Sequence, residues 1–149
     1  MYAGTCRAYR RKRCFMFNLG EKMDRAKAKN LNPVALAFLG DAVYSLFVRE
    51  KLVFGKDCKT GELNKLAVAE VKATAQAKFF KDIEGLLTEE ETAIYKRARN
   101  AKKPTKAKSA SVAEYNVSTG LEAVVGFLYL TGDTERLNFL LNAGESESK

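Results

Sequence analysis

The 149-residue chain contains no histidine and no tryptophan. Without an imidazole there is no Ser-His-Asp triad, no Cys-His protease pair, no HExxH zinc site and no histidine base. Any hydrolytic chemistry falls to carboxylates, lysine, tyrosine, hydroxyls, cysteine and whatever cation the carboxylates can hold. Cysteine is scarce: Cys6, Cys14 and Cys58 are an odd number with no CxxC spacing. That argues against a disulfide scaffold or a thiolate zinc site and for a reducing, cytoplasmic setting. No apolar run approaches the roughly 18 residues that cross a bilayer, so no membrane partner is expected. Prolines are limited to Pro33 and Pro104, and alternating strand patterns bounded by turn residues are missing. What is present is an ordinary apolar share of 46% in a chain long enough for one domain with a real core.

The net charge of +8 is unevenly spread. Residues 1–30 hold nine basic and two acidic side chains. A second segment carries Lys96, Arg97, Arg99, Lys102, Lys103, Lys106 and Lys108 and no acid. The remainder is acidic. Concentrated blocks of this kind suit a phosphate backbone better than diffuse charge, although a charge run alone is often only a solvated face. Residues 1–30 read as a basic, disordered leader. A transit peptide for organellar import, an RNA-binding arm and sequence translated upstream of the true start all fit it. The last is favoured, because Met16 and Met23 offer later starts.

Beyond Asn30 the patterning is helical throughout. Asn32-Pro33 is a helix start, with a good N-cap and proline at the first position. That helix should run to about Val53 with apolar residues all round, as in a helix that is buried or that also faces a second subunit. Thr60 to Ile83 follows as a helix anchored by Leu63, Leu66, Val71 and Phe79-Phe80. Thr88 with Glu91, and Ser111 with Glu114, have capping-box spacing and start two more helices, reaching Ala101 and Leu130. Lys102 to Ala110 is a loop. Thr131-Gly132 ends the penultimate helix, and Asp133 can cap a last one containing Leu137, Leu140 and Leu141. The expected organisation is an all-α bundle over residues 31–142 with a polar tail from 143 to 149.

Two carboxylates sit in the wrong company. Asp41 lies in AFLGDAVYSLF and Glu122 in STGLEAVVGFLYL, each within the most apolar helix of its half. A lone buried carboxylate costs several kcal/mol, so each should be paired, protonated or bound to a cation. Tyr44 and Tyr115 are the bland partners. The alternative is a Mg²⁺ or Mn²⁺ held through oxygen ligands and water between facing helices. Small neighbours (Ala37, Gly40, Ala42; Gly120, Ala123, Gly126) permit close approach of another helix or a ligand. Tyr115, Ser118, Thr119, Glu122 and Gly126 share one helical face, so the Ser118 and Thr119 hydroxyls could support the site from behind, or simply bond back to their own helix.

FLGDAVYSL resembles the signature helix of the ribonuclease III family, and TGLEAVVGFLYL resembles that family's second catalytic helix. The short length, the KRARNAK segment and the lack of a C-terminal double-stranded-RNA-binding domain are similar to the Mini-III subgroup. The resemblance covers about Leu31 to Leu141. It implies an all-α endonuclease domain, dimeric through its signature helix, with Asp41 and Glu122 as catalytic, metal-binding carboxylates. It further implies Mg²⁺-dependent cleavage of double-stranded RNA to 5′-phosphate and 3′-hydroxyl ends, in maturation of the large-subunit ribosomal RNA precursor. Lys96, Arg97, Arg99, Lys102, Lys103, Lys106 and Lys108 would contact RNA, with Pro104 in a closing loop, and a ribosomal protein could assist substrate choice. Two acidic positions of ordinary ribonuclease III fall on Ala37 and Thr119. A catalytically inactive RNA-binding or ribosome-associated module is the competing reading, and a helical interaction module with a basic linker is the weakest.

Overall fold

The structure, a computed structural model, describes residues 21–103 and 110–144. The first twenty residues, Pro104, Lys106, Lys108 and the tail from 145 onward lie outside the described residues. Within them the chain forms α1 (Arg25–Lys29), α2 (Pro33–Gly55), α3 (Thr60–Val71), α4 (Ala73–Ile83), α5 (Glu89–Asn100), α6 (Val112–Leu130) and α7 (Thr134–Ala143). A 3₁₀ turn at Glu84–Leu86 joins α4 to α5, and there is no strand among the described residues.

Local chemistry sets most of the helix starts. The Asn32 side chain accepts from the Val34 amide at 2.9 Å, and Pro33 takes the first position of α2. Thr88 and Ser111 both form complete capping boxes, with reciprocal bonds of 2.9–3.2 Å to Glu91 and Glu114. Each cap satisfies backbone N–H groups that a helix cannot bond internally and contributes about 1 kcal/mol.

The helix α6 is the axis of the bundle. Every residue from Ser118 to Leu128 is buried except Glu122. A helix that is apolar on all sides has to be surrounded, and α6 packs against α2, α4, α5 and α7. The α2–α6 crossing is the tightest of these contacts. A Cβ on Gly40 would fall 1.7 Å from the Glu122 carbonyl oxygen, and one on Gly126 would fall 2.1 Å from the Leu36 carbonyl oxygen. Both are below any real contact, so the backbones touch where glycine faces backbone. On the far side of α6, Phe80 of α4 stacks on Tyr95 of α5 with centroids 4.2 Å apart.

Three features depart from the sequence expectation. Residues 60–83 are two helices, broken at Lys72, whose ψ of 151° is extended. Neither proline nor glycine marks the break. It arises from packing: the Lys72 carbonyl restarts the chain by accepting from Ala75 and Gln76, and the new direction lets α4 bury Gln76, Ala77, Phe80 and Ile83. Asp133 makes no side-chain cap on α7. Its carboxylate instead accepts from Arg25 at 3.1 Å, after Gly132 turns the chain with a φ of 68°. Finally, residues 21–30, which read as part of a disordered leader, belong to the folded body. The Met23 amide donates to the Leu130 carbonyl at 2.9 Å, Ala28 is fully buried, and Arg25 bridges Glu90 and Asp133 over the Phe127 ring.

One buried ion pair ties α5 to α7. Glu91, 1% exposed, receives Arg136 Nε at 2.8 Å and a second guanidinium nitrogen at 2.9 Å, while Arg136 also donates to the Leu86 carbonyl at 2.5 Å. Burial would raise the Glu91 carboxyl, but Arg136 and the Thr88 cap outweigh it and hold it below its ordinary value.

The α2–α6 crossing gives a direct test. Gly40→Ala must push the two helices apart, at a cost of about 3 kcal/mol, and should lower the thermal midpoint clearly. A Gly40→Ala protein that melts with the parent would show that the crossing is looser than described.

Candidate active site

The same crossing that presses Gly40 onto Glu122 sets the two singled-out carboxylates side by side. Asp41 follows Gly40 on α2, and Glu122 is the residue of α6 whose carbonyl Gly40 meets. Both line one cleft of about 520 Å³. Its α2 wall is Val34, Ala37, Phe38 and Asp41, and its α6 wall is Tyr115, Ser118, Thr119 and Glu122. Val71 and Ala73, on either side of the Lys72 break, and Lys103 close the remaining sides.

The expectation that both carboxylates are buried is met only in part, by Glu122. Asp41 is exposed, on a face of α2 that no described residue covers. Glu122 is largely enclosed, and the two carboxyl groups are close enough to repel as ions and to share a proton. Burial first, and the Asp41 charge second, push the Glu122 carboxyl up to about 8, while the nearby polar groups of Gln76 and Ser118 favour its ionised form. Neither carboxylate is ion-paired to lysine or arginine among the described residues. The tyrosines proposed as partners have other surroundings. Tyr44 packs edge-on to Phe79 with centroids 5.7 Å apart, and Tyr115 lies under the Lys103 ammonium.

The hydroxyls divide. Ser118 Oγ donates to Gln76 Oε1, whereas Thr119 Oγ1 bonds back to the Tyr115 carbonyl at 2.9 Å. Gly126, on the same helical face, belongs to the α2 contact and not to the cleft. Ala37 and Thr119 do line it, so the positions where further acids might stand are apolar and hydroxylic. Among the described residues no group of three or more metal-ligating His, Cys, Asp or Glu exists. The site is a pair.

The basic segment is likewise divided. Arg97 donates to the Lys29 and Leu31 carbonyls, the latter at 3.1 Å, and fastens the α1–α2 link. Lys103 Nζ reaches the Arg99 and Ala101 carbonyls at 3.2 and 3.3 Å and Asn116 Oδ1 at 2.8 Å, which commits all three of its protons. Burial moves the Lys103 ammonium down from its ordinary value. Arg99 lies over the Tyr95 ring, 5.5 Å from its centroid. Lys96 and Lys102 are exposed. Lys106 and Lys108 lie outside the described residues.

Sequence reasoning missed Gln76 and Arg136. Gln76 sits between alanines in ATAQAKFF, a setting that carries no signal until the fold brings it under Ser118. Arg136 could have been suspected only as a partner for a buried Glu91, whose capping role already explained it.

Comparison with known proteins converges on one family. Residues 34–133 match the Ribonuclease III domain. The chain is 42% identical over 124 residues to the Mini-ribonuclease 3 of Clostridium tetani, covering 83% of this chain and 82% of that one. It is 46% identical over 121 residues to the Mini-ribonuclease 3 of Symbiobacterium thermophilum, covering 81% and 93%. A crystal structure of a Fusobacterium nucleatum protein superposes with a TM-score of 0.69 at 37% identity, covering 76% of this chain and 90% of that one.

The electrostatics of the pair can be read directly. Glu122 should titrate near 8 in the metal-free protein, followed by carbon-13 NMR of its carboxyl, and Asp41→Asn should move it lower by removing the like charge. A titration left unmoved by Asp41→Asn would mean that the two side chains do not face each other.

Proposed function

Because this chain belongs to the ribonuclease III family and is a double-stranded-RNA endoribonuclease, we propose that its cleavage centre is the Asp41–Glu122 pair, charged with a divalent cation, Mg²⁺ or Mn²⁺. The observation that carries this reading is the pair itself: two carboxyl groups side by side in an open cleft, neither of them ion-paired to lysine or arginine among the described residues. Oxygen donors in so small a number suit Mg²⁺, which commonly keeps several waters and takes one or two carboxylates plus substrate phosphate. When bound, such a cation neutralises charge developing on the phosphate and lowers the pKa of water.

The residues of the chain do the rest. Asp41 and Glu122 would hold the cation, and Glu122 must give up its proton to do so, which makes binding stronger as pH rises toward 8. Ala37, Thr119 and Val34 leave room for a sugar-phosphate backbone along the cleft. Lys96 and Lys102, both exposed, would contact phosphates and read A-form shape over sequence; Lys106 and Lys108, outside the described residues, belong to the same proposed RNA-binding set. Arg97 and Lys103 would act one step back, by fixing where the basic segment leaves α5. Arg99 stands between these roles, its guanidinium over Tyr95.

Assembly follows from α2. Phe38 is 85% exposed beside Asp41, and Ala42 and Leu46 continue the same face at four-residue spacing. An apolar stripe of this kind supports a homodimer through α2, which would carry two cleavage centres, one for each RNA strand. Maturation of large-subunit ribosomal RNA is the corresponding substrate role. It is aided by a ribosomal protein where one presents the RNA, in the cytoplasm or, for a chain imported through its basic leader, an organelle.

Cleavage of a structured ribosomal RNA precursor with Mg²⁺, giving 5′-phosphate ends, should fall about a thousand-fold or more in Asp41→Asn and in Glu122→Gln, since each removes several kcal/mol of transition-state stabilisation. Full activity in either variant would remove that residue from the chemistry. Phe38→Glu should shift the protein toward a monomer in light scattering. An unchanged mass would take Phe38 out of the dimer contact.

A further inference from the structure

Gln76 lies on α4 directly behind the cleft and is completely buried. The two ends of its carboxamide have different fates. Oε1 accepts the Ser118 hydroxyl. Nε2 is the one buried side-chain polar atom among the described residues left without a hydrogen-bond partner. An unpaired N–H inside a core is costly and rare, and each case in a folded protein calls for a reason.

The neighbourhood supplies one. Beside this amide is the carboxylate of Glu122, whose ionised form both Gln76 and Ser118 favour. Two other donors that line the cleft are already engaged: Thr119 bonds to its own helix and Lys103 to three oxygens. The geometry is therefore that of a buried donor without a partner, fixed through its other end to the residue one helical turn before Glu122. An amide is also the suitable donor. It carries no charge, so it does not neutralise the pair before a cation arrives, and it cannot itself lose a proton at any working pH.

We propose that Gln76 is a positioning residue: with Oε1 pinned by Ser118, its Nε2 takes one oxygen of Glu122 and holds the carboxylate turned toward Asp41 in the orientation that binds the divalent cation. This rests on the metal-binding reading of the Asp41–Glu122 pair. Supporting groups behind metal ligands commonly govern affinity by 10- to 100-fold, and Gln76 would do so from outside the cleft without touching metal or RNA.

The test is Mn²⁺ binding to the RNA-free protein by electron paramagnetic resonance, with thermal melting and cleavage kinetics alongside. Gln76→Leu keeps the volume and removes the amide. It should weaken Mn²⁺ binding about 10-fold or more, leave the thermal midpoint no lower than the parent's and leave KM for RNA unchanged. Its kcat should fall at low Mn²⁺ and recover as Mn²⁺ is raised. Ser118→Ala, which frees Oε1, should weaken Mn²⁺ several-fold and provides the decision if Gln76→Leu does not fold. Parent-like Mn²⁺ affinity in a folded Gln76→Leu, or in Ser118→Ala when that variant decides, overturns the positioning role while leaving the metal site standing. A parent that binds Mn²⁺ no better than Glu122→Gln overturns the metal site and the positioning role together.

Discussion

The structure depends on one close crossing. Gly40 of α2 and Gly126 of α6 each meet the other helix's backbone where no side chain fits, and this contact joins the centre of the core to the two walls of the cleft. Asp41, next to Gly40, and Glu122, whose carbonyl Gly40 meets, are thereby set side by side, the first exposed and the second largely enclosed. A carboxylate pair that would separate freely on a surface is held together by the packing of α6 inside a ring of helices. The repulsion is offset by burial of Leu121, Val124, Phe127 and Leu128 along the same helix, each contributing about 1.5–3 kcal/mol when fully enclosed. The core stabilises what the site strains.

Much of this was legible in the residues, because the signals were local. Both capping boxes, the Asn32-Pro33 start and the all-round apolarity of α6 follow from chemistry within a few positions, and the structure has them. The two carboxylates stood out because an acid in an apolar run needs an explanation. What could not be read depended on three-dimensional packing. The break at Lys72 leaves no mark in a sequence of ordinary helix formers. Asp41 emerged as exposed because an apolar circumference does not say which face a single chain leaves open. Gln76 was invisible for a similar reason, since its significance lies entirely in which helix it sits beneath.

The basic segment shows how composition can be right about a region and silent about individual side chains. Arg97 and Lys103 look identical in kind to Lys96 and Lys102, yet their donors are turned inward, onto carbonyls at the α1–α2 link and at the end of α5. An arginine fork and a lysine ammonium close helix ends as readily as they meet phosphate, because both targets are oxygen. Such inward anchors give the outward cations a fixed origin. On the proposed reading, charge that contributes little to RNA affinity directly would thereby set where the affinity is delivered.

On the proposed reading, a site with only two carboxylates has a consequence for selectivity. In the metal-free chain Glu122 keeps its proton near neutrality, since burial and Asp41 both oppose its charge. A cation arriving alone must displace that proton and still lacks ligands, and water fills the remainder. A phosphate arriving alone meets a partly negative cleft. Each binds more tightly in the presence of the other, because the phosphate supplies the oxygens the cation lacks and the cation supplies the charge the phosphate requires. Sparse ligation of this kind couples metal loading to substrate. A third or fourth carboxylate at Ala37 or Thr119 would strengthen metal binding on its own, and would weaken that coupling by the same measure. The two uncharged residues at those positions of the cleft therefore fit an enzyme whose centre is completed by the duplex it cuts.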